Sequence, residues 1–166
     1  MKIKIFTTGG TIDKVYFDAQ SDYKIGEPQI VEILRMANVV VDYEVEMLFR
    51  KDSLDLTEDD RAVIVERVRR EPCRRILITH GTDTMTHTAQ ALRDVSGKVI
   101  VLVGSLTPAR FKHTDAEFNI GFALAAVEAM PEGVYIAMNG RIFKSGSVQK
   151  NRQKNRFELI SERKDA

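Results

Sequence analysis

Short runs of apolar residues recur along the chain, and each ends in small or hydroxylated residues. Lys2-Ile3-Lys4-Ile5-Phe6-Thr7-Thr8 leads into Gly9-Gly10-Thr11, and Ile76-Leu77-Ile78-Thr79 into His80-Gly81-Thr82. Val99-Ile100-Val101-Leu102-Val103 leads into Gly104-Ser105, and Val134-Tyr135-Ile136-Ala137-Met138 into Asn139-Gly140. Runs of this kind read as strands buried on both faces. A fifth strand is predicted over 39–49, where Val45, Met47 and Phe49 alternate with Glu44, Glu46 and Leu48. Between the strands the spacing becomes helical. Ile30, Ile33, Leu34 and Ala37 share a face over 28–37, and Ile64, Val65 and Val68 share another. Met85, Ala89, Leu92 and Val95 predict a helix beginning at Thr82 or Asp83, and Phe118, Phe122, Ala125 and Ala126 one over 115–130. Five strands alternating with four helices give an α/β fold, a doubly wound and mostly parallel sheet with helices on both faces.

Local signals fill in the rest. Thr57 with Asp60 predicts a capping box, and acids at the start of that helix with arginines at its end complement its dipole. Residues 13–27 are polar with Tyr16, Phe17 and Tyr23 interspersed, and read as a long loop of the kind that serves as a lid. Asn139-Gly140 is a turn dipeptide, followed by a hairpin through 141–143 and 147–149. Residues 152–166 read as a polar tail with one apolar patch, Phe157, Leu159 and Ile160. No internal repeat or low-complexity segment is present, so residues 1–166 are expected to form one domain.

Composition narrows the function only a little. The 166 residues carry 25 Lys and Arg against 24 Asp and Glu, and a net charge of +1 argues against a nucleic-acid partner. The stretch from Arg141 on is locally basic, which a solvated surface explains. Cys73 is the only cysteine, so no intrachain disulfide can form. No apolar segment has the length of a membrane span, and the amino terminus has no secretory core. A cytoplasmic protein is expected. The histidines are scattered and there is no cysteine cluster, so neither metal nor cofactor is implied.

The strand ends are where chemistry is expected, because open α/β sheets place ligands beyond the carboxyl ends of their strands. Thr82 and Asp83 stand at one such mouth, as a site or as a helix cap. Thr11 follows paired glycines at another, where the backbone can approach a ligand closely. His113 and Asp115 read as capping and loop-packing residues.

Gly9-Gly10-Thr11 together with His80-Gly81-Thr82-Asp83-Thr84-Met85 resembles the two signature motifs of the asparaginase/glutaminase family, amidohydrolases with a threonine nucleophile. The likeness runs over almost the whole chain and implies the fold of the family's amino-terminal domain. Typical members are about twice as long, with a second, carboxy-terminal domain that this sequence does not show. The resemblance implies hydrolysis of the side-chain amide of L-asparagine through an acyl-enzyme. It implies Thr11, Tyr23, Thr82, Asp83 and Lys150 as catalytic residues, and Ser53, Thr82, Asp83 and Ser105 as substrate-binding ones. Thr11, helped by Tyr23, would attack the amide. A desolvated Lys150, oriented by Asp83, would activate Thr82 as a base activates a nucleophilic serine. Ser53 would hold the substrate carboxylate, and Ser105 would offer its backbone carbonyl. The next position after Ser53, often glutamine in the family, is Leu54, which cannot hydrogen-bond an α-amino group. The implied partners are a small amino-acid amide and further copies of the chain in a homo-oligomer, with Phe157, Leu159 and Ile160 as one candidate contact. Two other readings fit the same residues, a non-catalytic amino-acid-binding module and a subunit of a tRNA-dependent amidotransferase.

Overall fold

The computed structural model describes residues 1–17 and 22–161. Residues 18–21 of the expected loop and 162–166 of the expected tail lie outside the described residues. A six-stranded sheet forms the centre. Its strands are β1 (Lys2–Gly9), β4 (Asp42–Lys51), β5 (Arg75–Thr79), β6 (Val99–Val103), β7 (Gly133–Met138) and β8 (Arg141–Lys144), in the order β4-β1-β5-β6-β7-β8. The first five run parallel, and β8 is antiparallel to β7. Strands β5 and β6 are flanked on both sides and buried along nearly their whole length, as their unbroken apolar runs require.

Helices α1 (Ile30–Met36) and α4 (Ala116–Ala129) pack together, as do α2 (Glu58–Arg70) and α3 (Met85–Ala91), and the two pairs cover the two faces of the sheet. The capping box that opens α2 forms as expected, with the Asp60 N–H donating to the Thr57 hydroxyl and the Thr57 N–H to the Asp60 carboxylate. The buried stripe of α2 is Ile64 and Val68.

Several expectations need correction. The long loop is instead a small antiparallel sheet of β2 (Lys14–Phe17) and β3 (Asp22–Ile25). The strand expected over 39–49 runs over 42–51 as an edge strand, and the β1/β4 register slips between Thr7 and Gly9. The expected alternation fails here, with Leu48 packed on the core and Met47 exposed. Helix α3 begins at Met85, later than expected, because Thr84 at its cap turns its hydroxyl to the Ser53 carbonyl. A C-terminal hairpin is present as expected but in other residues: the Asn139-Gly140 turn joins β7 to β8, and the hairpin is β9 (Val148–Asn151) with β10 (Arg156–Leu159) and not 141–143 with 147–149. The tail therefore contains a strand. Phe157 is core and Leu159 half-buried, which leaves only Ile160 of the proposed contact patch exposed.

Candidate active site at the carboxyl edge of the sheet

Three strand ends converge through two glycines. Gly10 has φ +92°, and a Cβ on it would lie 2.5 Å from the Cα and N of Gly81. A Cβ on Gly81 would lie 2.6 Å from Cβ and Oγ of Ser53. Only glycine permits either approach. Backbone bonds complete the junction, with Gly10 N donating to Lys51 O (3.0 Å) and His80 N to Val103 O (2.9 Å). Thr11, Ser53, Thr82 and Asp83 thus leave the sheet from one small area.

The segment after β5 is held from beneath. His80 is fully buried; its Nδ1 lies 2.8 Å from the Gly81 carbonyl, which can only accept, so Nδ1 carries the proton and Nε2 accepts from the Thr88 hydroxyl at 2.7 Å. Burial pushes the ring down to about 4, more than the Gly81 carbonyl can restore, so it stays neutral. Its role is to fix the turn that presents Thr82.

Lys150 reaches that turn from β9. Its Nζ lies 2.7 Å from Thr82 Oγ1 and 3.0 Å from Asp83 Oδ1, with the lysine side chain largely sequestered from solvent. The hairpin that carries it is anchored by Phe157, whose N–H donates to Asn139 Oδ1 at 2.8 Å. Arg152, two residues on, also approaches Asp83 Oδ1, at 3.5 Å. Reading 152–166 as a tail gave no reason to single Arg152 out; the strand pairing of β9 with β10 is what brings it there.

The other expected residues are less uniform. Ser53 is buried, and its hydroxyl has no hydrogen-bond partner among the described residues, as a group kept for a ligand would be. Leu54 beside it is exposed. Ser105 is buried, and its hydroxyl donates to Thr107 O. That loop is tied down by Asp115, which accepts from the N–H groups of Leu106 and Thr107, and by Asn119, which donates to Gly104 O. Thr11 is half-buried in a 3-10 turn, Thr11–Asp13. Tyr23 sits on β3 with its ring against Tyr16 and Phe111; among the described residues its hydroxyl makes no hydrogen bond to Thr11. Asp13, which sequence reasoning passed over, is buried at 2 % exposure and accepts the Gln29 N–H at 2.8 Å. Nothing in the sequence around it marks that burial.

Known proteins share much of this chain. The family model described as Asparaginase, N-terminal matches residues 2–164. The chain belongs to the asparaginase family. It is 32% identical over 129 residues to a glutaminase-asparaginase of Acinetobacter glutaminasificans, covering 74% of this chain and 38% of that protein. It is 33% identical over 141 residues to a subunit of the glutamyl-tRNA(Gln) amidotransferase of Saccharolobus islandicus, covering 80% of this chain and 32% of that one. Among solved asparaginase structures, the thermostable L-asparaginase from Thermococcus kodakarensis superposes with a TM-score of 0.82 at 28% identity, over 96% of this chain and 51% of that one. The probable cytoplasmic L-asparaginase from Campylobacter jejuni gives 0.79 at 27%, over 95% and 51%. The chain thus spans from about a third to about half of the length of these asparaginase-family relatives.

Proposed function

We propose that the chain is an amidohydrolase that converts L-asparagine to L-aspartate and ammonia, with residues 1–166 forming one amino-terminal-type domain. The observation that carries this reading is the contact of Lys150 Nζ with Thr82 Oγ1 and Asp83 Oδ1. A threonine hydroxyl is a weak nucleophile, and an adjacent amine can take its proton. Asp83 holds that amine in place and balances the charge it gains. Thr11 attacks the side-chain amide carbon, ammonia leaves, and the resulting ester is hydrolysed by water to release aspartate. In the first step Thr82, Lys150 and Asp83 take up the Thr11 hydroxyl proton and pass it to the departing nitrogen, which leaves as ammonia; in the second they take a proton from the attacking water and return it to the Thr11 oxygen. The unpartnered Ser53 hydroxyl receives the substrate carboxylate, and the backbone N–H groups after Gly10 stabilise the developing oxyanion. Tyr23, on β3, supports Thr11 in this reading.

Leu54 offers nothing to an α-amino group, so weak affinity and tolerance of related amides follow from this reading. A homo-oligomer in the cytoplasm is the expected working form. The test is ammonia release from L-asparagine and L-glutamine by wild type, Thr11→Ala and Thr82→Ala. Turnover abolished by either substitution supports the reading; silence of the wild type at high substrate overturns it. A second reading, ammonia supply within a tRNA-dependent amidotransferase, is supported by the likeness to the Saccharolobus islandicus protein. Salt-sensitive binding of tRNA would favour it.

A further inference from the structure

Asp13 is a buried carboxylate that the catalytic scheme does not use, two residues from Thr11 in the same 3-10 turn. The turn is gripped from four elements. Asp13 N donates to Gly10 O, Gly26 N to Asp13 O at 2.7 Å, and Ala109 N to Ile12 O at 3.1 Å. The only side chain in this set of bonds is that of Asp13, whose Oδ1 takes the Gln29 N–H at 2.8 Å just ahead of α1. Gln29 in turn accepts from Arg110 Nε and donates to Glu27 O. The turn that carries Thr11 is therefore tied through one carboxylate to the start of α1 and to the loop after β6.

We propose that Asp13 is a positioning residue for the Thr11 hydroxyl, its buried carboxylate holding the Gln29 N–H and so fixing the turn on which Thr11 rides. This rests on the reading of Thr11 as the attacking group. A nucleophile displaced by a fraction of an ångström loses much of its rate while substrate binding is spared. The charged groups around Asp13 are Arg50 on β4, which pairs with Glu27 ahead of α1, Lys14 with Asp52 on the side of β4, and Arg110 through Gln29. Burial raises the carboxyl to about 6, the Gln29 N–H and Arg50 pulling the other way. The ionised carboxylate is the stronger acceptor, so the tie tightens as pH rises through that value.

The experiment compares wild type, Asp13→Asn and Asp13→Ala as full chains, by kcat and KM for L-asparagine from pH 4.5 to 8.5 and by amide hydrogen exchange at Gly26 and Gln29 at pH 7. Asp13→Ala is expected to lose about tenfold or more in kcat with KM within about twofold, and to exchange faster. Asp13→Asn, which keeps an acceptor but only a neutral one, is expected to fall between wild type and Asp13→Ala in kcat and to lose the acid limb near pH 6. An unchanged kcat in Asp13→Ala, or an acid limb that persists in Asp13→Asn, overturns the proposal. If Asp13→Ala does not fold, the acid limb of Asp13→Asn against wild type decides. If wild type releases no ammonia, the hydrolase reading has failed separately. Exchange then decides the positioning role: faster in Asp13→Ala than in Asp13→Asn supports it, and equal rates in all three overturn it.

Discussion

The junction after β1 and the junction after β5 are built from the same string of residue types, a strand, a glycine and a threonine, yet the two threonines are held in opposite ways. Thr82 is engaged through its side chain, its hydroxyl 2.7 Å from Lys150 and its turn braced by the buried His80. Thr11 is held through the backbone of its turn, and its hydroxyl makes no hydrogen bond among the described residues. A hydroxyl already paired with an amine is prepared to exchange a proton, whereas an unpaired one is open to a substrate carbon. Two similar junctions thus end in different surroundings, and what separates them is what arrives from elsewhere in the chain.

Removing what arrives should produce the largest effect. Lys150→Met is expected to lower kcat by about a thousandfold, roughly 4 kcal/mol, and Thr82→Ala by a similar factor. The double variant should be hardly worse than either, because the pair acts as a unit. A double variant that loses the product of the two factors would separate Lys150 from Thr82.

The glycine contact that joins the junctions comes next. Gly10→Ala places a Cβ 2.5 Å from the Gly81 backbone at φ +92°, and should cost about 3 kcal/mol of stability, read from urea midpoints. A midpoint equal to wild type would mean that the junctions can part without loss.

Acid should act on the two junctions in opposite directions. His80 titrates near 4 when folded and near its ordinary 6.5 when unfolded. The unfolded chain therefore binds the extra proton first, and the contribution present above 6.5 is lost as pH falls toward 4, by about 1.4 kcal/mol per pH unit at the steepest. Asp13 titrates near 6 folded against 3.8 unfolded, so its contribution is present below 3.8 and lost as pH rises through 6. In wild type the two partly cancel. Asp13→Asn removes the opposing contribution, so urea midpoints measured between pH 6 and 4 should fall more steeply than in wild type.

The smallest effect belongs to Arg152. Its side chain is 70% exposed and its guanidinium 3.5 Å from Asp83, so Arg152→Gln should change stability by less than about 1 kcal/mol and kcat by less than about twofold. A larger loss would make Arg152 a working part of the second junction.

How much of this was legible depends on whether a residue's role is set by its neighbours in sequence or in space. Strands β5, β6 and β7 were readable because burial on both faces forces an unbroken apolar run, and the Thr57–Asp60 cap because it is completed within four residues. Thr11, Ser53, Thr82, Asp83, Ser105 and Lys150 could be named from motif likeness, and the structure sets Lys150 Nζ against Thr82 and Asp83. The β2/β3 sheet was missed because much of it faces solvent, leaving no apolar alternation to detect. Strand β10 was missed because its partner is a second short, polar strand. Asp13 and Arg152 were invisible for a related reason, since burial and the Asp83 contact exist only once distant segments have met.

One consequence of the β9/β10 pairing concerns durability. Lys150 rides on two four-residue strands that form a sheet separate from the main one and are held to the rest by the buried Val148 and Phe157, the Phe157–Asn139 bond and the contacts of Lys150 itself with Thr82 and Asp83. Small peripheral units of this kind open at lower free energy than the core to which they attach. Inactivation by heat or protease should then run ahead of global denaturation, with the domain outliving its own chemistry, and shelf life would be improved by tethering the final strand rather than by repacking the interior.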